Sequence, residues 1–184
     1  MTATLKININ QLDANFIQRL KEQFGDSTLE INIAPTASVA PLTDEQFWEI
    51  IDLLDWEKEH KDDILQNALL RLSNISIGAI YRFQDILCDK LYQLDGRKYA
   101  EQLGYGSEEY FSVDEFLYAR ACVIANGKEI YEAVLNGEME MPQDLTFEPL
   151  LYLAGHAYLR KIGKEFIHVP THSYETFANQ SSWE

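Results

Sequence analysis

From residue 43 to residue 162 apolar side chains recur every three or four positions, and that spacing commits the segment to packed helices. Thr43 followed by Gln46 has the form of a capping box, after which Phe47, Ile50, Ile51 and Leu54 line one helical face with Trp48 beside them. Ile64, Leu65, Ala68, Leu69 and Leu72 mark a helix over 61–73; Ile80, Phe83, Leu87 and Leu91 mark another over 75–93, with a bend near Ser73 and Asn74 between them. A polar turn at Asp95-Gly96 leads to a short helix near Arg97 to Leu103, which Gly104-Tyr105-Gly106 ends. Ser112 with Glu115 is a second capping box, opening a helix through Phe116, Leu117, Val123 and Ile124 to Asn126-Gly127. Residues 128–135 form one more, closed by Asn136-Gly137, and Phe147, Leu150, Leu151, Ala154, Ala157, Tyr158 and Ile162 trace the cleanest stripe of all, up to Gly163.

The first 34 residues read differently. Leu5, Ile7 and Ile9 alternate with polar neighbours, as do Leu29, Ile31 and Ile33, and period two marks a half-buried strand. Between them Asn10 can cap a helix carrying Leu12, Phe16, Leu20 and Phe24 and stopping at Gly25. The predicted fold class is therefore α+β, mostly α: a small β-α-β unit over 1–34, a Pro-containing linker over 35–42, a domain of six to seven helices over 43–165, and an irregular tail over 166–184. A two-stranded sheet with one helix is marginal alone and leaves edges open, so a homodimer through the N-terminal strands is expected.

Charge limits the partners. Thirty Asp and Glu against fifteen Lys and Arg give a net charge of −15, which repels phosphates and argues against direct nucleic-acid binding. The same charge suits a protein partner with a basic surface, or serves solubility alone. Met1 to Ile9 lacks the apolar run of a signal peptide, and no stretch has the roughly 20 apolar residues of a membrane span, so the expectation is a cytoplasmic protein away from the membrane. Cys88 and Cys122 sit inside apolar helical patterns and read as buried small hydrophobes in a reducing compartment.

Candidate sites are few. Among the four histidines, His168 and His172 are four apart, but Pro170 between them breaks the helix that would bring both to one face. His156 lies off the apolar stripe with Tyr152 and Arg160 as helical neighbours, so the three form either a contact patch or a solvated face. Between Asp44 and Asp63 nine acidic residues face Lys58 and Lys61, with Trp48 and Trp56 among them, an acidic docking surface or a solvated one. Nine of the ten tyrosines fall between Tyr81 and Tyr158; Tyr105 and Tyr110, in a segment of Gly and Glu, are expected nearest the surface. No phosphate-cradling loop, nucleophile elbow, dinucleotide fingerprint or zinc motif occurs, so no catalytic residue, metal ligand or cofactor is assigned.

Phe47-Trp48-Glu49-Ile50-Ile51, Tyr81-Arg82-Phe83, Asp114-Glu115-Phe116 and the run from Ala121 through Asn126-Gly127-Lys128 to Leu135 together resemble the bacterial domain-of-unknown-function family DUF4240, over about Thr43 to Glu165. The resemblance implies an α-helical fold and a bacterial origin. The N-terminal 34 residues are similar to short leaders of antitoxin-like bacterial proteins. Together these readings point to a non-catalytic acidic interaction module of the antitoxin or immunity kind. Two other classes stay open: a metal- or carboxylate-dependent hydrolase using His156 or His168, and a nucleic-acid mimic with carboxylates spaced like phosphates.

Overall fold

A computed structural model describes residues 14–25, 41–107 and 111–184. The chain divides into two compact units, Met1–Ala37 and Ser38–Glu184. In the first, α1 spans Ala14–Phe24, and Gly25 follows it at a φ of 55°, a left-handed conformation suited to glycine.

The second unit is built from α2 (Asp44–Ile51), α3 (Lys61–Ile64), α4 (Gln66–Ser73), α5 (Ile77–Gln93), α6 (Arg97–Ala100), α7 (Val113–Ala125), α8 (Lys128–Asn136) and α9 (Leu153–Ile162), with 3₁₀ turns at Glu101–Leu103, Glu148–Tyr152 and Gln180–Ser182. Both capping signals act. Thr43 accepts the Gln46 N–H while the Gln46 side chain returns to the Thr43 N–H, and Ser112 accepts the Glu115 N–H. From Phe116 to Ala125 every residue of α7 except Tyr118 is buried, so this helix, apolar on nearly all sides, forms the centre of the core. It packs against α5 and α8; α9 lies along α4 and α5, and α2 closes over α4 and α5.

Among the described residues there is no strand, and the α+β expectation is corrected to an all-helical fold without a β-α-β unit. The runs 5–9 and 29–33 that carried the strand reading lie outside the described residues, as does the dimer contact expected from them. Three alternating apolar residues per run satisfy the period-two pattern too briefly to establish a sheet. The antitoxin-like leader rested on the same segments and is not supported.

Two helical stripes are broken by specific local bonds. The pattern over 61–73 divides at Leu65, where the Ile64 carbonyl accepts the Asp55 N–H. The stripe from Phe147 starts as a 3₁₀ turn because Pro149 stands in its first turn; the Leu150 N–H reaches Phe147, three residues back.

Candidate functional site

The C-terminal tail runs back along α5 and is pinned to a series of acceptors on and just beyond that helix. His168 Nε2 lies 2.7 Å from Asp85 and His172 Nδ1 lies 2.7 Å from Asp89, one helical turn further on. Each imidazole also stacks on a tyrosine of α5: His168 on Tyr81 at 4.7 Å and 11°, His172 on Tyr92 at 4.5 Å and 19°. Asn179 then donates to the Tyr92 carbonyl, and Asp95 accepts from the backbone N–H groups of Phe177 and Asn179 and from Trp183 Nε1. Asp85, Asp89 and Asp95 carry the sequence signal for these contacts: three carboxylates within and just after an apolar helix need partners, and helical geometry puts the first two on one face.

Where this strap passes α9, a cleft of about 370 Å³ opens. Its walls bring together Tyr152 from the end of the 3₁₀ turn Glu148–Tyr152, His156 from α9, His168 and Tyr174 from the strap, and Gln84 from α5. Tyr152 and His156 stack at 6.3 Å and 30°. The Tyr152 hydroxyl donates to Glu148 at 2.9 Å, and that bond raises its pKa and keeps the phenol protonated. Burial, then the neighbouring Glu175, raises Tyr174 as well. Below the cleft Gln84 Nε2 lies 3.2 Å from the Cys88 sulfur, and burial pushes that thiol up to about 12, so it stays protonated and inert near neutral pH.

The other sequence-derived candidates scatter. Arg160 is exposed but does not line the cleft. Trp48 is buried: its indole N–H donates to Asp44, and its ring, with Phe47 and Tyr131, surrounds the Lys90 ammonium. Trp56 is about half exposed and rests on Phe147 at 5.0 Å. Tyr105 is half-buried between Phe111 and Trp183, and Tyr110 lies outside the described residues. Among the described residues no cluster of three or more His, Cys, Asp or Glu side chains is placed to hold a metal, and no helix is long and apolar enough to cross a membrane.

The class these features define is a helical domain closed by a side-chain-pinned C-terminal strap. The chain belongs to DUF4240, a family described as proteins of unknown function, whose model matches residues 42–160. That segment includes α5 and its aspartates and ends within α9, before the strap. Neither a curated protein nor a solved structure matches the chain.

Proposed function

We propose that this protein is an interaction module that docks a basic protein surface on its acidic face, with Trp56 as the anchor. One observation carries the reading. Glu45, Glu49, Asp52, Glu57, Glu59, Asp62 and Asp63 are all exposed and form no ion pair among the described residues, and the half-exposed indole of Trp56 stands in the same segment.

Uncompensated like charges repel one another, and a cationic partner relieves that repulsion while speeding encounter. A tryptophan seated on a second ring offers a rigid apolar anchor at low entropic cost, the residue type that most often dominates binding energy. Of the nine acidic residues in the segment, only Asp44 and Asp55 are held by cations among the described residues, Lys90 and Lys58 respectively.

Affinity capture from the native host tests the reading, using the intact protein beside a triple variant, Trp56→Ala with Glu57→Lys and Glu59→Lys. A protein retained by the wild type, released as salt rises and lost by the variant is the expected result. Capture of nothing, or equal retention by the variant, would overturn it.

A further inference from the structure

We propose that the cleft between α9 and the strap is a binding site for an uncharged planar nitrogen heterocycle of nucleobase size that donates hydrogen bonds. The proposal is independent of the acidic face. It rests on two residues, each with an acceptor unused by its own contacts, that line one flat-walled space.

The first acceptor is Gln84. The residue is only 6% exposed, it lines the cleft, and its Nε2 is occupied by the Cys88 sulfur. Its carbonyl oxygen has no hydrogen-bond partner among the described residues and is not closed off from solvent. A ligand N–H would supply that bond.

The second is His168. Asp85 lies 2.7 Å from Nε2 and accepts its proton, so that in the neutral imidazole the lone pair sits on Nδ1. The Tyr81 ring behind it, at 4.7 Å and 11°, holds the imidazole plane in place. Nδ1 is thus a pre-oriented acceptor without a partner among the described residues.

The walls set the shape. Tyr152 and His156 present a stacked pair of rings, and Phe166, Tyr174 and Pro170 add further flat surfaces. Gly155 of α9 also lines the cleft, and a Cβ there would meet the Phe166 Cβ at 3.9 Å, an ordinary contact, so that only a larger side chain would fill the space. No Lys, Arg, Asp or Glu lines the space, which disfavours a charged ligand. The volume of about 370 Å³ is at the small end of sites for small molecules.

The probes are adenine and 9-methylpurine, the second having the same bicycle with neither amino group nor ring N–H. Imidazole resonances of His156 and His168, followed by nitrogen–proton correlation spectra of the full chain, report occupancy. Adenine is expected to shift both with a Kd below about 1 mM, and 9-methylpurine to bind at least about tenfold more weakly, because the acceptors are then left unpaired. Gln84→Leu should reduce that preference, and Gly155→Val should block both compounds. Absence of shifts at about 5 mM adenine, or equal affinity for the two purines, overturns the proposal without recourse to any variant.

Discussion

The carboxylate of Asp95 is fully buried 3.8 Å from the fully buried guanidinium of Arg120, and both residues also hold the C-terminal tail. Arg120 donates to the Leu91 carbonyl and to the Thr176 hydroxyl, while its Nε has no partner among the described residues. Burial lowers the Arg120 pKa to about 10, with the Asp95 charge opposing the shift, so the side chain remains charged at neutral pH. Asp95→Ala would leave an unpaired buried cation and three donors from the tail unsatisfied. The expected loss is about 3–5 kcal/mol in urea unfolding, with Trp183 becoming solvent-exposed and the tail open to protease.

Lys90 joins α2 to α5 from inside an aromatic cage. Its ammonium lies 4.7 Å from the Trp48 ring centre, 5.1 Å from Tyr131, 5.6 Å from Phe47 and 2.7 Å from Asp44. Lys90→Ala removes the buried stem and the cation–π contacts together, an expected loss of about 2–3 kcal/mol. Asp44→Ala is expected to cost less, about 1 kcal/mol, because that carboxylate is half exposed and the cage remains. Thermal melts of the two variants would give the order.

Gly96 is required for space. A Cβ on it would sit 3.0 Å from the Ser182 Cβ and 3.2 Å from the Ser182 carbonyl oxygen. Gly96→Ala should therefore push away the turn Gln180–Ser182 and loosen Trp183, at about 1–3 kcal/mol. Intrinsic fluorescence would report the displaced indole.

Alkaline pH should unfold the protein. Burial raises Cys88 from 9.0 to about 12, and it raises Cys122, Tyr131 and Tyr174 as well. Each group keeps its proton in the folded state at a pH where the unfolded chain has lost it. The stabilisation is thus complete below the unfolded values of 9.0 for thiols and 10.0 for phenols, and is lost as pH rises through the folded values. Urea midpoints should fall above about pH 9, at up to about 1.4 kcal/mol per pH unit for each titrating group, and less steeply in Cys88→Ala. A flat profile from about pH 9 to 11 would contradict this assignment.

The parts of this protein legible from the amino-acid order are those decided within one helical turn. The caps at Thr43 and Ser112, the apolar faces of α2, α5 and α7, and the glycine stops after α8 and α9 all depend on residues at most four positions apart, where backbone geometry leaves few alternatives. Family membership was legible for a related reason, since its motifs lie largely in those helices.

Tertiary structure alone decided how distant residues are used. Nothing local distinguishes Trp48, enclosed about Lys90, from Trp56, half exposed eight positions later. Pro170 does exclude a helix through His168 and His172, yet an extended strap along α5 brings them to Asp85 and Asp89, each 83 residues away. Such pairings cost chain entropy that no nearby bond offsets, and they form only because burial of the helix faces has already brought α5, α9 and the tail together.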